Sequence, residues 1–352
     1  MQKRSDEAAM IIITGGNGWL GQRVAQAFAG TLDNDLGNHA AKKIRVLVNE
    51  KENHDFLKKL GCELVVGDIR DDDACKKLCR GAEGSILIHL AGVIHPRKVS
   101  EFIDVNFSGT AHLLAAAKIS GVRRMVAMSS NSPIGCNPSN NHTFTEESPY
   151  HPYMGYGHSK WQMELMLRDH IASRQAPEMV IVRAPWFYGP GQPSRQTFFL
   201  SMVKSGKFPI VGNGMNRRSM GYVDNLAKGI YLCAQHTDAA GEIFWLADEQ
   251  PYSMNEIIDT IQRVFREDLN IPSRHGAVRL PGLLGNAATW VDGGLQWLGL
   301  YHQKIHVLSE LNKNIACDIS KAKRILGYQP AIQLREGMRR AIEWCLQNGH
   351  TL

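Results

Sequence analysis

Ile11-Ile12-Ile13-Thr14-Gly15-Gly16-Asn17-Gly18-Trp19-Leu20-Gly21 decides the fold. Four apolar or β-branched residues read as a buried strand, and glycines at 15, 18 and 21 then make a tight turn into a helix. Glycine lets the backbone come close to a pyrophosphate, whose charge the helix N-terminus favours. In this strand, turn and helix context the three-glycine pattern points to a dinucleotide, with the backbone of Asn17, Trp19 and Leu20 completing the cradle.

Outward from this turn, short apolar runs alternate with helical patterns as far as Met128, which is the signature of a parallel, doubly wound α/β sheet. The strands read as Met10–Thr14, Ile44–Val48, Cys62–Val66, Ser85–Leu90 and Arg124–Met128. Thr31–Lys43 is polar and reads as an exposed loop insertion with no assigned role. A long helix should run from Tyr156 to about Arg174, followed by a strand at Met179–Arg183. The next stretch, with Pro185, Pro190 and Pro193, is placed where substrate lids are commonly built. The chain should return to the sheet near Gly241–Ala247, and Tyr252 onward reads as largely helical. This gives a dinucleotide-binding part over 1–183, with a return at 219–247, and a substrate-binding part over 184–218 and 248–352.

The chain has 352 residues, a formal charge of +6 and seven cysteines without Cys-x-x-Cys spacing. Neither a disulfide framework nor a metal site is suggested. No basic block alternates with aromatics, so nucleic acid is a poor partner for it, whereas a small-molecule substrate is expected. No apolar run reaches the roughly 20 residues that span a bilayer, and Met1–Ala9 is charged, so the reading is cytoplasmic, without a membrane partner.

Tyr156-Gly157-His158-Ser159-Lys160 carries the chemistry. Residues four apart share a helix face, so the Lys160 ammonium is expected against the Tyr156 phenol, favouring its ionised form and making it a general acid or base near neutrality. Asp68, with Ile69 after the third strand, could lie near an adenine or simply cap a turn. The second strand ends in Val48-Asn49-Glu50. An acid there would favour NAD and an arginine NADP; Asn49 is neither, which leaves NAD or NADP with a slight lean to NAD.

The chain resembles the extended short-chain dehydrogenase/reductases, which include nucleotide-sugar epimerases and dehydratases, 3β-hydroxysteroid dehydrogenases and dihydroflavonol reductases. Besides the glycine turn and Tyr156/Lys160, the resemblance rests on His89-Leu90-Ala91-Gly92, Asn106-Phe107-Ser108-Gly109-Thr110, Ser129-Ser130, Arg183 through Tyr188-Gly189-Pro190-Gly191, Tyr222-Val223-Asp224-Asn225 and Leu326-Gly327-Tyr328-Gln329-Pro330. It covers nearly the whole chain and implies a Rossmann-type fold with a smaller, mainly helical C-terminal substrate domain, and a homodimer. It also implies that Leu90, Ala91, Gly92, Asn106 and Pro185 join the cofactor site, that Ser130 donates to the reacting oxygen, that Tyr156 exchanges the proton, and that Lys160 holds the nicotinamide ribose.

Dehydratases of this group carry an Asp-Glu pair where this chain has Asn131 and Ser132, which disfavours 4,6-dehydration. Arg218 stands where nucleotide-sugar enzymes grip a diphosphate, and Ser132 is a further candidate for the substrate. Against that, Trp186 replaces a common Asn and suits stacking, cover for an apolar ligand, or packing. The apolar stretch Leu280–Leu300 resembles the steroid and flavonoid branch, though such a pattern is more often core, lid or interface. The readings left open are an epimerase or oxidoreductase on a nucleotide sugar, a reductase or dehydrogenase on an apolar alcohol, and a non-catalytic dinucleotide sensor.

Overall fold

The structure is a computed structural model that describes residues 10–32, 41 and 43–352. Met1–Ala9 and most of the Thr31–Lys43 insertion (33–40 and 42) lie outside the described residues. Seven parallel strands form the central sheet: β1 (Ile11–Thr14), β2 (Ile44–Val48), β3 (Glu63–Val66), β4 (Ile86–His89), β5 (Arg124–Ser130), β6 (Glu178–Ala184) and a last strand at Ile243–Trp245. Their spatial order is Ile243–Trp245, β6, β5, β4, β1, β2, β3.

Alternation along each strand divides the core. Ile11, Ile13, Val46, Ile88 and Val180 face the helices Trp19–Phe28 and Val223–Gln235. Ile12, Leu47, Leu87, Met125 and Ile181 face Asp72–Cys79, Gly109–Ile119 and Met154–Ser173. A strand buried on both sides must be apolar at every position, which is why these runs read as continuous rather than alternating. Cys75 and Cys79 belong to the second core as packing residues. A third apolar cluster, including Phe199, Ile210, Tyr222, Ile257, Phe265 and Met338, lies outside the sheet within residues 188–345.

Strand order reverses between β1 and β4, which opens the crevice where α/β sheets take ligands, at the carboxyl ends of the strands. In register, Thr14 pairs with His89. The buried His89 ring bridges the Thr14 hydroxyl at 2.8 Å and the Thr110 hydroxyl at 2.9 Å, and burial pushes its pKa down to about 3. It therefore acts as a neutral strut that pins the floor of the crevice.

Several boundaries differ from the sequence reading by one or two residues, and two of them bear on the site. β5 continues to Ser130, because Ser129 and Ser130 still pair with Arg183 and Ala184 of β6. The helix carrying Tyr156 starts at Met154.

Candidate active site

The glycine turn leaves β1 with Gly15 at φ +71°, a conformation side chains disfavour, and a Cβ there would lie 2.7 Å from the Ala91 nitrogen. A Cβ on Gly21 would strike the Gly15 carbonyl. The turn closes through Gly18 N–H to the Gly15 carbonyl at 3.0 Å. Thr14 ties it to the neighbouring loop, accepting from Leu90 N–H at its carbonyl (3.1 Å) and from Ala91 N–H at its hydroxyl (3.3 Å). Gly18, as the residue capping the following helix, brings no side chain to that N-terminus. A cradle that a Cβ would fill, facing a helix N-terminus, with the buried Asn17 Oδ1 lacking a partner among the described residues, fits a dinucleotide diphosphate. The Trp19 indole is spent differently: it donates to the Pro190 carbonyl at 2.7 Å, packs 4.9 Å from Phe187, and so anchors the loop after β6.

Ser130 at the end of β5 and Tyr156 on the facing helix come together, the Ser130 hydroxyl close enough to the phenol to favour its ionised form. The Ser130 hydroxyl also lies 3.4 Å from the Ser132 hydroxyl and 3.4 Å from Asn131 Oδ1, and it accepts the Ser132 N–H at 3.3 Å. Burial pushes the Tyr156 phenol up to about 12; the Ser130 hydroxyl opposes this and the Glu310 charge adds to it.

Lys160 corrects an expectation. Its ammonium does not sit on the phenol; it donates to the Met128 carbonyl at 2.9 Å and lies 3.5 Å from Met163 Sδ. Shared helix face brings the two residues to one side, but the long, buried lysine finds its acceptor on β5. Burial lowers its pKa to about 8, opposed by the carboxylate of Glu164 one turn on. Lys160 still reaches the cofactor crevice, since a Cβ on Gly92 would lie 3.6 Å from its nitrogen.

Asn106, assigned above to the cofactor, is wholly buried and spent on the protein. It accepts from Val93 N–H at 2.8 Å and donates to the Val93 carbonyl and the Ser159 hydroxyl, each at 3.0 Å. Asn106 sits in a π-helical turn, Asp104–Ser108, an irregularity common at functional sites. It braces the loop after β4 against the helix of Tyr156 and Lys160. Ile69 is likewise core, its side chain against Gly109, so only its backbone could meet a ligand. Asp68 is forked by Arg70 at 2.9 and 2.6 Å, which lowers its pKa. Pro185 is buried just beyond β6.

Behind the site lies a polar network that spacing alone did not reveal. Arg183 and Glu164, both fully buried, pair at 2.7 Å. Glu164 also accepts from the hydroxyls of Ser129 and Tyr150, and Arg183 donates to the Glu146 carbonyl at 3.0 Å. The one available signal was Glu164 four residues after Lys160. At the glycine turn, Asn49 only caps its own turn through Lys51 N–H at 3.2 Å, and the acid that approaches is Glu52, accepting from Asn17 Nδ2 at 3.0 Å.

Arg218, the expected substrate residue, is 7 % exposed and donates to the Glu310 carbonyl at 3.0 Å. The Glu310 whose carbonyl it holds also carries a charge that raises the Tyr156 pKa. Trp186 packs edge-on against Phe199 at 5.1 Å, as part of the third core. The Leu280–Leu300 stretch forms the helix Gly282–Trp297, and Trp290 and Trp297 on it are 84 % and 86 % exposed. Those two side chains are open to solvent rather than buried in a core. Asp224 of Tyr222-Val223-Asp224 is structural, pairing with both Nε and Nη2 of Arg23.

Among known proteins, the chain is 54 % identical over 345 residues to the uncharacterized protein y4nL of Sinorhizobium fredii, covering 98 % of this chain and 97 % of the relative. It is 30 % identical over 223 residues to N-acetyl-alpha-D-glucosaminyl-diphospho-ditrans,octacis-undecaprenol 4-epimerase of Escherichia coli O157:H7, covering 62 % of this chain and 65 % of that one. In fold it matches the UDP-glucose 4-epimerase of Thermotoga maritima with a TM-score of 0.72 at 19 % identity, over 96 % of this chain and 99 % of that one. The sequence profile described as NAD dependent epimerase/dehydratase family matches residues 11–247. With that match spanning the glycine turn, the crevice and the Ser130, Tyr156 and Lys160 cluster, the chain belongs to the NAD dependent epimerase/dehydratase family.

Proposed function

We propose that the chain epimerises a nucleotide sugar by reversible hydride transfer at a secondary alcohol, with Tyr156 as the general acid/base. The observation that carries this reading is the meeting of Ser130 and Tyr156 beside Lys160, at the carboxyl ends of the strands and next to the glycine turn. Bound nicotinamide supplies the acceptance and return of a hydride at the alcohol carbon. The turn at Gly15, Gly18 and Gly21 would hold the diphosphate, and Lys160 the nicotinamide ribose. Tyr156 would take the hydroxyl proton while Ser130 donates to the same oxygen, and Tyr156 would return the proton when the ketone is reduced. Lys160, cationic below about pH 8, would favour the phenolate once both groups face one ligand.

Glu52 beside Asn17 supports the lean to NAD, since a carboxylate there would accept ribose hydroxyls and repel a 2′-phosphate. Arg218 is the proposed diphosphate grip, and the substrate would lie between the sheet and the part made of 184–218 and 248–352. Asn131 and Ser132 offer no carboxylate pair for elimination of water, so 4,6-dehydration is not part of the proposal. A homodimer remains the state implied by resemblance.

The test is incubation with UDP-, GDP- and dTDP-sugars, reading ring configuration by NMR and nicotinamide absorbance near ~340 nm. Inverted sugar without net absorbance change is the expected result. A net change would make the chain a reductase or dehydrogenase instead. Arg218→Ala should lose nucleotide-sugar binding by about 10-fold or more, as removal of a charge-assisted pair does.

A further inference from the structure

The helix Gly282–Trp297 is amphipathic inside out. Its polar side chains face the protein: Asp292 bonds His306 at 2.7 Å, Thr289 lies 3.5 Å from the Ser309 carbonyl, and Gln296 accepts from Gly155 N–H at 2.9 Å, at the start of the catalytic helix. Its apolar side chains face outward. Leu283 (78 % exposed), Trp290, Val291, Trp297 and Leu298 follow one another at helical spacing, an uncovered stripe on a 16-residue helix. Soluble helices are built the other way round, and an apolar stripe of this kind marks contact with another apolar medium.

We propose that this helix lies on the surface of an anionic lipid bilayer, with Trp290 and Trp297 at the headgroup boundary. Charge selects this occupant. From Leu269 to Ser309 the sole acid is Asp292, which is buried and paired, whereas Arg274, Arg279 and Lys304 are exposed on both sides of the helix in the chain. Exposed basic residues flanking an apolar, tryptophan-bearing helix in the chain match anionic lipid. A second copy of the chain would instead set these cations against themselves. The helix is too short to cross, since 16 residues rise about 24 Å against a hydrocarbon core of about 30 Å, and among the described residues no helix is long and apolar enough to span. Short apolar runs rule out spanning segments, not a helix that lies flat. Because Gln296 holds the first turn of the catalytic helix, a bilayer under this face would lie near the cleft.

The full chain should co-sediment with vesicles of phosphatidylcholine mixed with phosphatidylglycerol, about tenfold more than with phosphatidylcholine alone, and less as salt rises. Trp290→Gln combined with Trp297→Gln should weaken that binding about a hundredfold while leaving the circular dichroism spectrum and nucleotide binding unchanged. Absence of sedimentation with the anionic vesicles overturns the proposal, as does equal sedimentation of the double variant. A dimer seen by sedimentation velocity that the double variant dissociates also overturns it, in favour of an interface between copies. None of these readouts depends on the sugar chemistry of the cleft, so failure here is separable from failure of the epimerase reading.

Discussion

Burial moves Tyr156 and Lys160 in opposite directions, the phenol up to about 12 and the ammonium down to about 8, so each is held in its neutral form more readily than in water. Ser130 is the group that pulls the phenol back. Ser130→Ala should therefore slow turnover about 100-fold and move the alkaline-rising limb of kcat to higher pH, because ionised Tyr156 becomes harder to form. A pH profile checks both. Lys160 also leaves a mark on stability. Between about 8 and the model-peptide value of 10.5 the folded chain binds fewer protons at this site than the unfolded chain, so its stabilisation is present above the upper value and is lost as pH falls through the lower. Wild type should thus gain stability relative to Lys160→Met as pH rises through this window, a difference readable by urea denaturation at several pH values. Gly15→Ala combines φ +71° with a Cβ 2.7 Å from the Ala91 nitrogen and should cost at least about 1 kcal/mol while abolishing dinucleotide binding. Calorimetry with NAD reads the second effect.

At the scale of elements, the π-turn Asp104–Ser108 fixes the distance between the loop after β4 and the helix of Tyr156. Asn106→Leu would leave the Val93 amide groups and the Ser159 hydroxyl without partners, and should destabilise by about 3 kcal/mol in thermal or urea unfolding. Turnover should fall further than folding does, because Lys160 and Gly92 meet at this brace. The glycine turn and the Tyr156/Lys160 spacing were legible because each is a local pattern whose geometry follows from a strand, a turn or a helical turn. The role of Asn106 was not, since its partners Val93 and Ser159 lie 13 and 53 residues away. Glu52 escaped for a related reason: the turn after β2 swings the third acidic-side position beyond Asn49 onto Asn17, and strand-end spacing points to Asn49 or Glu50 instead.

At the scale of the whole molecule, the Arg183–Glu164 pair joins β6 to the helix of Tyr156, and Ser129 joins both to β5. Glu164→Gln would leave a buried guanidinium without its counter-charge and should cost about 3–5 kcal/mol, seen as a lowered Tm. The strands of a parallel, doubly wound sheet follow from continuous apolar runs separated by helices and were readable in advance, whereas their spatial order comes from the fold. The cleft's outer wall was less so. Arg218 meets Glu310 across 92 residues, and Trp186 turned out to pack on Phe199, because side chains of the smaller part find partners far along the chain. The apolar C-terminal stretch was visible as a pattern, but only the fold shows that its apolar face looks outward while its polar face holds the catalytic helix.

The central claim is that Tyr156 exchanges the proton in hydride transfer at a sugar alcohol. Its most direct test compares wild type with Tyr156→Phe, pre-loaded with NAD and mixed in a single turnover with a panel of nucleotide sugars, following product configuration and transient nicotinamide reduction. The account predicts a rate loss of about 100- to 10,000-fold in Tyr156→Phe with NAD affinity unchanged. Turnover by Tyr156→Phe at the wild-type rate, or no hydride transfer by wild type with any sugar in the panel, would contradict it.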